Sequence, residues 1–293
     1  MHPANFGKLC SKGAALAETI ELKSRLLQPT VYGRECSWSE ALDMVADSLI
    51  NTIKQYGPDA VAFYGSGQLL TEDYYVANKL MKGFIGSGNM DTNSRLCMSS
   101  VVAGYKRAFG TDTVPGCYDD YEQAEMIVLI GSNTAWCHPV SFQRICAAKE
   151  NNPGLKIVVI DPRRTASCEL ADLHLPIAIG SDTILFNGLL NYLDQQDALD
   201  QQYIRQHTEG WAETLISAQT SSSDSARVAE NCKLRPQDVE LFFNWFASHK
   251  KVMSLFSQGI NQSSSGTDKV NSIINCHLAT GSIGKPGDRK SVV

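Results

Sequence analysis

One pattern, a strand, a glycine-bearing or acidic turn and a helix, recurs along this chain and restricts what it can fold into. AVAFY at 60–64 runs into GSGQ and a helical stretch beginning near Thr71, and MIVLI at 126–130 runs into GSNTAW and the helical PVSFQRICAAKE. KIVVI at 156–160 ends at Asp161-Pro162, and LHLPIAIGSD carries a fourth β-rich run ahead of the amphipathic TILFNGLLNYL. KVMSLF with its polar turn SQGINQSSSG then precedes the helical TDKVNSIINCHLATG. Strand, turn and helix in succession build a parallel sheet. The expected class is α/β, with two interleaved or successive, doubly wound domains of mostly parallel sheet, and 196–250 is expected to be mostly helical. A further helix is predicted over SWSEALDMVADSLINTIKQYG, with a capping-box pattern at Ser37 and Glu40 and Gly57 past its end.

At 293 residues the chain can bury sizeable cores. A net charge of −5 with dispersed Lys and Arg gives no support for a nucleic-acid surface, and no apolar run reaches the length of a membrane span. The start, MHPANFGKLC, has no signal-peptide pattern, so a cytoplasmic protein is expected. Both ends look cut, HPANFGKLCSKG opening inside a loop and GSIGKPG stopping past a helix, which points to a gene fragment. DRKSVV at 288–293 equals the translation of a short-read sequencing adapter, and we expect it to be no part of the native protein.

The turns GSGQ, IGSN, DPRR and GSD set small or hydrogen-bonding residues just beyond strands, at the edge where open parallel sheets bind ligands. Glycines admit phosphate oxygens close to the backbone, helix N-termini offer free N–H groups, and Asp accepts from ribose or base donors. GSGQLL lacks the third glycine of the dinucleotide fingerprint, and no phosphate-binding G-x-x-x-x-G-K-[ST] loop occurs. Together the turns indicate a large nucleotide-like ligand without naming it.

Nine cysteines, an odd number with no C-x-x-C pair, argue against a disulfide framework and a self-contained zinc site. Cys10, in GKLCSKG, has no neighbouring cysteines of the kind an iron–sulfur cluster needs. Cys97, in DTNSRLCMSS, is followed by small residues; helix N–H groups and Arg95 would favour its thiolate. Spacing alone leaves it open as a packed thiol, a nucleophile or a soft-metal ligand. Cys137 and His138 are adjacent on the chain, which points their side chains apart, and the remaining cysteines read as structural.

Taken in order and at these separations, HPANFGKLCSKG, FYGSGQ, DTNSRLCMSS, IGSNTAWCHP, DPRRT, GSD and SQGINQ resemble the molybdopterin oxidoreductases, and within them the assimilatory nitrate reductase branch. The resemblance runs from His2 to Gly287. It implies the DMSO reductase/formate dehydrogenase type of fold, a molybdenum-bis(molybdopterin guanine dinucleotide) cofactor, and reduction of nitrate to nitrite by oxygen-atom transfer. By position, Cys97 matches the thiolate ligand of molybdenum, with Met98 beside it. Cys10 matches the last of four cysteines of a 4Fe–4S cluster, the other three being absent here, and Lys12 matches the lysine between cluster and pterin. Cofactor contacts fall on Gln68 and Asn93, and on the turn Ile130, Gly131, Ser132, Asn133, Thr134, Ala135, Trp136 and Cys137. Asp161, Pro162, Arg163, Arg164 and Thr165 form a further contact turn. Gly180, Ser181 and Asp182 form another, with Gln258 and Gln262 in the last contact segment; Gln258 stands where related enzymes carry methionine. The electron donor implied is a ferredoxin, a flavodoxin or an NAD(P)H-linked subunit.

Formate dehydrogenases share the fold and cofactor but follow the metal-binding residue with histidine, whereas Met98 follows Cys97; periplasmic nitrate reductases share the Cys-Met pair. A non-catalytic structural or electron-transfer subunit would have no reason to keep Lys12, Cys97 and these turns together. The implied domains are 1–35 as the remnant of a cluster domain, 36–105 plus 251–287 as a first α/β domain, and 106–250 as a second.

Overall fold

A computed structural model describes residues 2–222, 224–286 and 291–292, the last two by their backbone alone. It resolves into two compact units, one formed by 11–97 and the other by 1–10 with 98–293. The expected adapter-derived residues 288–293 lie outside the described residues, apart from the backbone of 291–292.

In the 11–97 unit the predicted amphipathic helix is α1, Trp38–Tyr56. The Ser37 hydroxyl accepts from the Glu40 amide, while the Glu40 carboxylate pairs with Arg34, so half of the expected capping box forms. Gly57, at φ +87°, closes the helix with its amide on the Ile53 carbonyl, a left-handed stop that suits glycine. Strand β1, Phe63–Gly65, leads into helix α2, Thr71–Asn78, which runs on through a π-helical segment, Lys79–Ile85. Strand β2, Met90–Thr92, pairs in parallel with β1, setting Gly65 opposite Thr92. The short helix α3, Ser94–Cys97, follows.

The larger unit opens with helix α4, Ser99–Phe109. Its sheet is built from β3, Met126–Ile130, β4, Lys156–Ile160, β5, Leu173–Leu175, β6, Val252–Phe256, and the backbone of β7, Ser291–Val292. All pairings are parallel, in the spatial order β5-β4-β3-β6-β7. Alternate residues of β3, β4 and β6 face opposite cores. Met126, Val128, Ile130 and Phe256 join one that includes Phe186, Phe242 and Ile273, and Ile127, Leu129, Val159 and Leu255 join another with Ile145 and Ala148. Helices cover both faces, which is why these strands are apolar throughout but for Lys156 at the start of β4 and Ser254 in β6.

The strand at 252–256 hydrogen-bonds to 126–130 along its whole length. Helix Gly266–Ala279 packs so tightly on α4 that a Cβ on Gly104 would sit 2.5 Å from Val270 Cγ1. Residues 98–105 and 251–286 therefore go with the 106–250 sheet, where the sequence leads one to expect 251–287 beside 36–105. The cause is the two-sided apolar character of VMSLF, which needs a central place in a covered sheet. Division of residues 1–35 also differs from expectation. The first ten join the larger unit, where Arg144, 2% exposed, donates to the Ala4 carbonyl and to Glu122 and lies 4.6 Å from the Phe6 ring.

Between β5 and β6 the chain is mostly helical: Asp182–Gln195, Gln201–His207, Trp211–Ser221, Ser225–Cys232 and Pro236–Ser248. None of the described helices is long and apolar enough to cross a membrane.

Candidate functional site

From β3 the chain steps outward through β4 to β5, then returns to place β6 on the other side of β3. The β3–β6 junction is the point where winding reverses, and a crevice opens there at the carboxyl ends of the strands. Gly131 follows β3 and Gly259 follows β6, and the ladder extends between them, the Gly259 amide donating to the Gly131 carbonyl at 3.0 Å. A Cβ on Gly131, whose φ is +53°, would lie 2.8 Å from Gly259 Cα, and one on Gly259 would lie 2.6 Å from Gly131 Cα. Only two facing glycines allow that approach, and they leave the floor of the crevice as bare backbone.

The crevice measures about 670 Å³, within the usual range for small-molecule sites. Ten of the residues singled out from the sequence line it: Gly131, Asn133, Cys137, Asp161, Pro162, Arg163, Gly180, Asp182, Gln258 and Gln262. Asp161 is buried, with one carboxylate oxygen accepting from the Arg163 amide at 2.8 Å, so its own turn fixes its direction. Gly180, at φ +92°, has open space where a Cβ would stand, and Ile179 beside it is 90% exposed.

Other residues of these turns serve the scaffold instead. Ile130 is fully buried in the core, Ser132 and Thr134 pair their hydroxyls at 2.9 Å, and the Ala135 amide donates to Ser167. The Ser181 hydroxyl returns to the Ala178 carbonyl, and Thr165 precedes a short 3-10 turn, to whose first residues its side chain makes no capping bond. Trp136 and Arg164 are exposed.

The crevice also holds Lys269, which sequence reasoning did not single out, and His138, which it weighed only beside Cys137. Lys269, 3% exposed, pairs with Asp182 at 2.7 Å. Its readable signal was a charged residue on the stripe of Ile273 and Cys276, at spacings of four and seven within an otherwise apolar helix face. His138 lines the wall, and burial lowers its imidazole below the ordinary histidine value, so it meets the crevice as a neutral ring at neutral pH.

In the 11–97 unit, the turns after β1 and β2 meet at one strand end. A Cβ on Gly67 would lie 2.7 Å from Ser94 Oγ and 2.9 Å from Asn93 Oδ1, so the GSGQ and TNS turns are in contact, with Gln68 and Asn93 at the same edge. Cys97 ends α3, is half-buried, and its amide donates to the Asn93 carbonyl at 2.9 Å. Arg95, expected to favour the thiolate, pairs with Asp91 at 2.8 Å. The Thr92 amide and then this arginine hold the Asp91 carboxyl below the usual carboxylate range. Lys12 is exposed on the short helix Ser11–Ala14, and Cys10 is half-buried in the other unit.

Among the described residues no three His, Cys, Asp or Glu side chains converge on a metal-sized space. Burial raises the thiols of Cys168 and Cys232, and Cys276 is packed with Sγ on the Phe186 carbonyl, in keeping with structural roles.

The family model for the molybdopterin oxidoreductases matches residues 25–293. The chain belongs to the molybdopterin oxidoreductase family. It is 52% identical over 286 residues to a nitrate reductase of Klebsiella oxytoca, covering 98% of this chain and 32% of that protein. It is 38% identical to the periplasmic nitrate reductase of Desulfovibrio desulfuricans, covering 97% and 39%. Acetylene hydratase from Pelobacter acetylenicus has the same fold, with a TM-score of 0.83 at 22% identity over 99% of this chain and 40% of that one. The chain thus spans about a third of the length of the relatives it matches.

Proposed function

We propose that the full-length protein reduces nitrate to nitrite in nitrate assimilation, at a molybdenum-bis(molybdopterin guanine dinucleotide) centre. The observation that carries this is the 52% identity to a nitrate reductase across 98% of the chain. A periplasmic-type reductase is the second reading, favoured by the 38% relative. The SNTAWCHP and LCMSS wording is what inclines this reading to the assimilatory branch, and with it to a cytoplasmic location.

On this reading Cys97 is the protein thiolate on molybdenum, a soft donor suited to a metal that changes oxidation state. The β3–β6 crevice fits a nucleotide arm of the cofactor. Its glycine floor lets phosphates approach the backbone, and Asp161 and Asp182 present acceptors to sugar or base donors. When bound, the group supplies the two-electron chemistry that removes one oxygen atom from nitrate. The chain's own residues position it and shape access, as proteins do around such cofactors. Met98, where a formate-oxidising relative would place histidine, offers no imidazole to take a proton, which suits oxygen-atom transfer. Cys10 would be the last of four thiolates on a 4Fe–4S cluster. Lys12 would stand between cluster and pterin, with electrons arriving from a ferredoxin, a flavodoxin or an NAD(P)H-linked subunit.

The test is to express the full-length gene and assay nitrate and formate side by side with a dye electron carrier. Nitrate reduction without formate oxidation is expected; formate oxidation without nitrate reduction would overturn the proposal.

A further inference from the structure

Helix α4 begins badly by its own sequence. Its N-cap is Met98, which has no side-chain oxygen, and no side chain of its own caps it. The missing acceptor comes from far along the chain: Asn261 Oδ1 accepts from the Val101 amide at 2.9 Å, and the Asn261 side chain is 2% exposed. A backbone N–H can only donate, so this bond fixes which way the amide points. Asn261 Nδ2 is therefore aimed the other way, donating to Gln258 Oε1 at 3.0 Å and lying 3.4 Å from Met98 Sδ. Gln258, its oxygen thus engaged, turns its own Nε2 toward the same sulfur at 3.7 Å. Two amide donors, oriented in sequence by one backbone bond, face the Met98 thioether, a weak acceptor.

We propose that Asn261 is a positioning residue for Met98. Its oxygen secures the start of α4, and its nitrogen, directly and through Gln258 on the crevice wall, fixes the Met98 sulfur. The two tasks are separable because they use different atoms. The inference rests on the proposed function only where it assigns Met98 to the nitrate site; the gripping of Met98 stands apart from it.

Asn261→Asp separates the tasks, keeping an oxygen for the Val101 amide while removing the donor. Asn261→Leu removes both, and Gln258→Leu, at an exposed position, removes one donor without disturbing the cap. The first measurement is sulfoxide formation in dilute hydrogen peroxide, followed by peptide mass spectrometry on this chain. Half-buried Met98 is the reporter and fully buried Met253 the gauge of unfolding. Asn261→Asp and Gln258→Leu are expected to speed Met98 oxidation about threefold or more, the scale of one or two lost hydrogen bonds, with Met253 unchanged. Met98 oxidised at the wild-type rate in both variants, or Met98 and Met253 accelerating together in both, would overturn the assignment.

The second measurement uses the full-length enzyme. Asn261→Asp should raise KM for nitrate about fivefold while kcat stays within about twofold, the split expected when binding geometry and not chemistry is disturbed. An unchanged KM would remove Asn261 from the nitrate site. Absence of nitrate reduction in the wild type would instead refute the proposed function, while the oxidation rates would still decide whether Asn261 holds Met98.

Discussion

Cys97→Ser in the full-length protein is expected to lose nitrate reduction and molybdenum together. The loss should exceed the roughly 10–100-fold that removing a residue supporting a metal ligand costs, because the ligand itself is changed from a soft sulfur to a hard oxygen. Cys97 closes a four-residue helix and is half-buried, whereas the thiols of Cys168, Cys232 and Cys276 are packed in a core. Serine is nearly isosteric there, so the fold should survive and the melting temperature of this chain should hardly move. Molybdenum content by elemental analysis and nitrate turnover are the readouts. A serine variant that kept both near wild type would remove Cys97 from the metal.

The second large effect is expected at Gly131. Alanine there would be held at φ +53°, costing about 1–2 kcal/mol, and its methyl would press on Gly259 Cα at 2.8 Å, adding about 1–3 kcal/mol of overpacking. A total of about 2–5 kcal/mol corresponds to a fall in melting temperature of roughly 5–15 °C for a unit of this size. Gly180→Ala is the control: its φ is +92° but nothing stands within 4 Å of the added carbon, so only the backbone part of the cost should appear. Thermal melts of the two variants against the parent chain check this. Equal losses at both positions would show that the β3–β6 approach carries no energy of its own.

The fold was legible where local chemistry and sheet geometry agree. MIVLI is apolar at every position, and KIVVI at every position after Lys156, because helices cover both faces, and each gives way to a turn on the carboxyl edge, so strand, turn and ligand edge could be read together. Ser37 and Gly57 marked the ends of α1 for reasons confined to a few residues. Partnership over distance was not legible. VMSLF could have joined either sheet, and what decides for 126–130 is a full-length parallel ladder, invisible in the strand's own letters. The crevice was legible through its turns, but their residues divide: Asp161 and Gly180 open onto it, whereas Ser132, Thr134 and Ser181 spend their hydroxyls on the scaffold. Two residues from Cys97 in sequence, Arg95 is instead taken by Asp91, four residues earlier on the approach to the same helix. Lys269 and Asn261 escaped notice because each matters through a partner far along the chain, Asp182 for one and Val101 for the other.

The central claim is that the crevice where the sheet's winding reverses holds the nucleotide end of a molybdenum cofactor. Its most direct test is to denature the purified full-length protein and quantify molybdenum and the guanine nucleotide released by acid hydrolysis. Guanine nucleotide at twice the molybdenum is the predicted result, and molybdenum without guanine nucleotide, or neither, would contradict the account.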